Sequence, residues 1–270
     1  MTSTSDRTSN DTSGSSNDFN NADSSNWQLP SHSLLILADS ALPLGSFAFS
    51  GGLESYLAHQ SPAHNSLTHS THTFMRRSIV SLTSTTLSYL ITAFRSPHCI
   101  RELDDELDAC LLCPVARRAS TSQGRALISV WERSLGGEAI QSAAKVALQG
   151  FCSTLKSSND PLMLVETMPN AHYPIIHALV CAALGLSLQE TTYIYLFNHA
   201  KAVAGAAVRA GALGPYAAQA LLASQWVRKE IESAMKKEWS KDVKLAGQTV
   251  PALDIWLGRH EMLYSRIFNS

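Results

Sequence analysis

From Ser33 to Ile267 the apolar residues recur at three- and four-residue spacing, and no stretch alternates apolar with polar as a half-buried strand would. No Asn-Gly or Asp-Gly pair marks a tight hairpin. Apolar residues make up 45% of the chain and aromatics only 7%, so the core must be built from small aliphatic groups. Ala and Leu are the strongest helix formers, and Ala-rich faces let helices approach closely. An all-α fold follows: a single helical bundle domain of about nine or ten helices over residues 31–270. Residues 1–30 are almost entirely Ser, Thr, Asn and Asp. They cannot bury enough apolar surface to offset ordering entropy, and they read as a disordered tail.

Punctuation places the helices. A short one covers 33–39 and another starts near Leu53. Gln60–Ser66 reads as a loop, and Thr73–Phe94 as a helix ended by Pro97. Arg101–Cys113, Val115–Leu135 and Glu138–Leu155 follow, with Gly136-Gly137 between the last two. Pro174 opens a helix to Leu184, where Gly185 suits a left-handed C-cap. Ser187-Leu188-Gln189-Glu190 is a capping box for the next helix. Pro215 opens a long helix to about Trp239, and Pro251–Ile267 is the last.

Ala41-Leu42-Pro43-Leu44-Gly45-Ser46-Phe47-Ala48-Phe49-Ser50-Gly51-Gly52-Leu53-Glu54 is too apolar for a solvated loop and too broken for one helix. It reads as a rigid turn that carries Phe47 and Phe49 into a core and starts a helix at Leu53. Glu54, Arg125 and Arg209 are charges set among small or apolar residues, each needing a partner where buried. They serve as structural ion pairs, as contacts to another protein, or as both. The C-terminal run from Leu253 to Phe268 mixes Trp256, Tyr264 and Phe268 with Arg259 and Arg266. Such a segment frays unless it docks on the body or on a partner, and Trp, Tyr and Arg dominate interface energetics.

Other chemistries find little support. Net charge is −1, with no basic stripe interleaved with aromatics, which argues against nucleic acid. The most apolar run, Ile175 to Leu186, is interrupted by His177 and too short to cross a bilayer. With no export signal and five irregularly spaced cysteines, reduced thiols in a cytoplasmic protein are expected. His59, His64, His69 and His72 could ligate nickel or zinc, but a solvated polar loop is the plainer reading and no metal site is assigned. Cys110-Leu111-Leu112-Cys113 has half a zinc site's spacing without a second pair, and it reads as a buried helix face, as do Cys152 and Cys181. No phosphate-binding Gly-x-x-x-x-Gly-Lys loop, nucleophile–base pair or cofactor motif is present, and no enzyme activity is expected.

Four blocks, in order, resemble the UreF family of urease accessory proteins. They are Ala41–Phe47 with Ser50 and Gly52–Glu54; Leu103-Asp104 through Arg118-Ala119-Ser120 and Gln123–Leu127; His172-Tyr173-Pro174 through Ala206-Ala207-Val208-Arg209; and His260-Glu261 with Leu263–Arg266 and Phe268. The resemblance implies a helical, non-catalytic, cytosolic chaperone without a cofactor of its own. It implies a dimer that bridges a UreD (UreH) scaffold and the GTP-binding UreG, so that nickel reaches apo-urease. It further implies that His260, Glu261, Leu263, Tyr264, Arg266 and Phe268 contact the scaffold. Pro43, Gly45, Phe47, Glu54, Arg125 and Arg209 complete the expected partner-binding set. A direct nickel carrier built on the His59–His72 cluster is the competing function.

Overall fold

A computed structural model describes residues 1–2, 31–60, 66–157 and 168–269. The expectations for the rest of the tail, for His64 and for the Ser158–Pro161 link lie outside the described residues. No strand occurs among the described residues. The helices are α1 (His32–Ala38), α2 (Leu53–Ala58), α3 (Leu67–Leu82), α4 (Ser88–Arg95), α5 (Ile100–Cys110) and α6 (Pro114–Val130), then α7 (Ala143–Ser157), α8 (Tyr173–Ala183), α9 (Leu188–Arg209), α10 (Pro215–Leu222), α11 (Gln225–Glu238) and α12 (Pro251–His260). A π turn, Thr83–Leu87, joins α3 and α4 into one rod, so the described residues hold eleven rods where about nine or ten were expected.

The differences have local causes. The 215–239 helix breaks because Ser224 caps a new one: its Oγ accepts from Val227 N and donates to Leu221 O. The break sets Trp226 against His72, ring centroids 5.1 Å apart. The rod expected at Thr73 begins at Leu67, where Ser66 accepts from His69 N. Helix α7 starts five residues later than Glu138, at a turn in which Ser142 accepts from Lys145 N. The helix expected over 101–113 ends at Cys110, and Pro114 opens α6. Cys110 is exposed rather than buried, whereas Cys113, Cys152 and Cys181 are buried. The last helix stops at His260: the next three amides bond to Gly258, Arg259 and His260 carbonyls three residues back, and Ile267 and Phe268 turn their amides to Glu54 instead.

Helix α8 is buried nearly all round, as expected of a helix apolar on every face, and α4, α6, α7 and α9 surround it. Its entry is tightly built. The buried Asp104 carboxylate on α5 accepts from the backbone N–H groups of Asn170 (2.7 Å), Ala171 (3.0 Å) and His172 (2.8 Å). Those bonds hold Ala171 at φ 64°, a conformation L-residues rarely adopt. His172, fully buried, stands 3.1 Å from Ser120 Oγ and 3.2 Å from Asp108 Oδ1. Helix α6 passes this corner at Gly124, where a Cβ would meet the Ala171 carbonyl oxygen at 1.8 Å. Gly185 ends α8 at φ 78°, and the Ser187–Glu190 capping box starts α9, both as expected.

Two predictions follow from this packing. Gly124→Ala forces backbone apart at α8's entry and should cost about 3 kcal/mol or more in urea unfolding. The second concerns acid. Burial pushes His177 and His199 down to about 4 from an ordinary 6.5, and lowers His172 as well. Above pH 6.5 these rings are neutral folded or unfolded and cost nothing. Between pH 6.5 and 4 the unfolded chain takes up protons that the folded chain refuses, so stability falls with falling pH. Unfolding free energy should therefore be flat in the histidine contribution above pH 7 and drop by roughly 2–3 kcal/mol per unit near pH 5.

Candidate functional site: the strap over the opening turn

The opening turn is shaped by three glycines with positive φ: Gly45 at 68°, Gly51 at 61° and Gly52 at 89°. Leu44 takes the core position, and the 3-10 turn Ser46–Ala48 swings Phe47 outward. Phe47 is 70% exposed and Phe49 half-buried, so the expectation that both enter the core is corrected. Phe47 is held from behind instead: Arg209 donates to its carbonyl and lies 5.9 Å from its ring centroid. Pro43 is exposed at the same turn.

Helix α12 packs on α2 and on α6, with Leu257 against Gly52. A Cβ on Gly52 would come within 3.3 Å of Leu257 Cγ, so the glycine serves both its φ and this contact. Beyond α12 the chain folds back as an irregular strap, residues 261–269, rather than as the expected continuation of the helix. Its anchor is Glu54. The Glu54 carboxylate accepts from His260 Nε2 at 2.7 Å, from Ile267 N at 2.7 Å and from Phe268 N at 3.3 Å. Asn269 N donates to Ala48 O at 2.8 Å, and the buried Phe268 ring lies 4.1 Å from the Arg209 guanidinium carbon. Glu261 pairs with Arg118 of α6, whose hydrogen bond holds the Glu261 carboxyl below its usual range.

The strap therefore has two faces. His260 and Phe268 point in and are buried; Leu263 is half-buried; Met262, Tyr264, Arg266 and Ile267 face solvent, Tyr264 completely. Glu54, Arg209, Phe47 and the strap residues named from sequence are thus brought together. Arg125 is not. It is exposed, as is Arg209, so neither is the buried cation expected, and Arg125 Nε donates to Asn170 O at 3.4 Å near the α8 entry. Arg118, Asp104 and Gly52 were not among the expected partner-binding residues. All three stand inside the four blocks, and only their tertiary partners mark them out.

The remaining histidines go elsewhere. His59 lies against Trp256, ring centroids 5.4 Å apart, His72 lies on Trp226 and His69 is exposed. Among the described residues no three His, Cys, Asp or Glu side chains are grouped to hold a metal ion. No helix of the described residues is long and apolar enough to cross a membrane. Beside the opening turn lies a cleft of about 1350 Å³, lined in part by Leu42, Phe47, Ser120, His199, Lys201 and Gln248.

Comparison with known proteins agrees with the sequence blocks. The UreF family model matches residues 64–225, a span that leaves the opening turn and α12 outside. An uncharacterized urease accessory protein UreF-like of Schizosaccharomyces pombe is 33% identical over 243 residues, 90% of this chain and 98% of the relative. Urease accessory protein F of Oryza sativa subsp. indica is 33% identical over 90% of this chain and 84% of its own. Urease accessory protein UreF of Paenarthrobacter aurescens is 30% identical over 87% and 95%. If Glu54 is the anchor of the strap, Glu54→Ala should lower stability by about 1–3 kcal/mol and speed proteolysis within 261–269. Limited proteolysis followed by mass spectrometry reads the second effect directly.

Proposed function

Because the chain belongs to the UreF family of urease accessory proteins, we propose that it is a non-enzymatic assembly chaperone that bridges a UreD (UreH)-type scaffold and a UreG-type GTPase during nickel insertion into apo-urease. In this reading the strap and the opening turn form one docking surface for the scaffold. It acts in the cytosol as a homodimer within the complex, and the GTP belongs to the partner.

The observation that carries the reading is the division of labour within the strap. Large side chains at Phe47, Met262, Tyr264 and Ile267 face solvent, yet the chain that carries them is tied down at Ile267 by Glu54, itself paired with buried His260, and at Phe47 by Arg209. Exposed aromatic and apolar groups on a pre-ordered backbone lose little entropy on binding, which is what an interface hot spot needs. A metal-carrier role for the His59–His72 cluster lacks a comparable grouping among the described residues.

The test compares the full chain with Tyr264→Ser plus Ile267→Ser, which leaves every anchor in place. Stability should change by less than about 0.5 kcal/mol, since both side chains are exposed. Capture of a UreD-type protein from the same organism should weaken at least about tenfold. Undiminished capture by the double variant would move the interface off the strap. No capture by the unaltered chain would remove the scaffold-binding reading altogether.

A further inference from the structure

The strap can present a fixed surface only if α12 is fixed, and α12 enters from an irregular connector rather than from a packed helix. That connector, residues 246–250, runs across the π turn in the α3–α4 rod. Its contacts there are specific: Gly247 N donates to Ser84 O at 2.9 Å, and Thr249 Oγ1 donates to Ser84 Oγ at 2.9 Å. The π turn explains why Ser84 O is available, because widening a helix by one residue displaces carbonyls from the regular ladder. Its run of hydroxyl residues supports the widening, with Thr85 and Thr86 donating back to Ser81 O and Leu82 O.

Gln248 sits at the centre of this contact. Its Oε1 accepts from Ser81 Oγ at 2.9 Å and from Val250 N, the cap of α12, at 2.8 Å. Its Nε2 donates to Asp254 Oδ1 in the first turn of α12 at 3.1 Å. One amide therefore grips the rod with its oxygen and the start of α12 with both ends. Helix α12 has no side-chain cap of its own from Val250, so Gln248 supplies that function from outside. Ser81 is buried and Gln248 and Asp254 are half-buried, which shields these bonds from competition by water.

We infer that Gln248 is the positioning residue of the docking surface: it locks the first turn of α12 onto the α3–α4 rod and thereby fixes where the strap lies on Glu54. The inference rests on the proposed docking role only for its consequence; the lock itself is a statement about this chain. It also specifies a chemistry. The position needs an acceptor facing Ser81 and Val250 and a donor facing Asp254, and among side chains only a primary amide offers both at this reach.

The chemistry gives a test with its own rescue. Gln248→Glu keeps the acceptor but sets a second carboxylate against Asp254, and should open the α12 entry. Adding Asp254→Asn restores a donor–acceptor pair with the polarity reversed. Hydrogen exchange of the Ile267, Phe268 and Asn269 amides, all bonded to Glu54 or Ala48, reads whether the strap stays seated and requires no partner. Exchange should quicken about tenfold or more in Gln248→Glu and return to within about twofold of the starting protein in the double variant. Unchanged exchange in Gln248→Glu overturns the inference, as does a double variant that exchanges as fast as the single. Should Gln248→Glu fail to fold, Ser81→Ala removes one donor and should quicken exchange by a few-fold; no change there overturns the inference equally. Capture of the UreD-type protein, measured beside it, tests the other reading separately: slow, rescued exchange with no capture by the unaltered chain would keep the lock and discard the docking role.

Discussion

The carboxylate of Glu54 joins the two ends of the folded chain. One side chain accepts three hydrogen bonds from residues more than 200 positions away, two of them from backbone amides that lie outside any helix. An irregular segment has no ladder to satisfy its N–H groups, so it must find acceptors elsewhere or remain in water. A carboxylate offers two oxygens with several lone-pair directions and no competing donor, and its charge strengthens each bond. Leu53 and the positive-φ glycines before it fix Glu54 at the start of α2, and so fix where the strap ends. Arg209 completes the arrangement by holding the Phe47 carbonyl with one edge and the Phe268 ring with its face.

Asp104 repeats that logic at the entry to α8. It too collects backbone N–H groups from an irregular stretch, Asn170 to His172, and it too stands at the start of a helix. Negative charge near the N-terminus of α8 is favoured by the helix dipole. Ala171 can keep its positive φ because Asp104 holds its amide while Gly124 leaves room for its carbonyl. A small-residue core of Ala, Leu and Ser packs helices closely but specifies little about the chain between them. One buried acid, one half-buried acid and one glycine supply much of that specification.

Much of the helical framework was legible because its signals are local. The Ser187–Glu190 box, Gly185 and the prolines at 174, 215 and 251 act within one turn, and each appears where the sequence placed it. Ser224 shows the limit. A lone Ser amid good helix formers is a weak stop, and its role shows only in the structure, where Ser224 Oγ caps Val227 N and Trp226 meets His72 on another helix. The strap was misread for the same reason. Residues 261–267 carry helical periodicity, but Glu54 takes the Ile267 and Phe268 amides and Arg118 takes the Glu261 carboxylate, partners that no window of sequence contains. Phe47 was misassigned because apolarity says that a residue seeks burial, not whether its own domain or another surface provides it.

The buried charges also sorted differently from the expectation, and the reason is geometric. Arg125 and Arg209 were marked as ions among apolar neighbours, yet both have exposed ends. A long guanidinium stem can lie along an apolar helix while its head stays in water, so an apolar surround says little about burial. Asp and Glu are short and cannot reach out in that way. Asp104 after the buried Leu103, and Glu54 after the buried Leu53, are each an acid held inward in this way. Once inside it must be satisfied, and free backbone N–H groups at irregular joints are the partners it needs. In a chain of tightly packed small residues, the acids next to the core are thus the places to look for the joints that hold its loops.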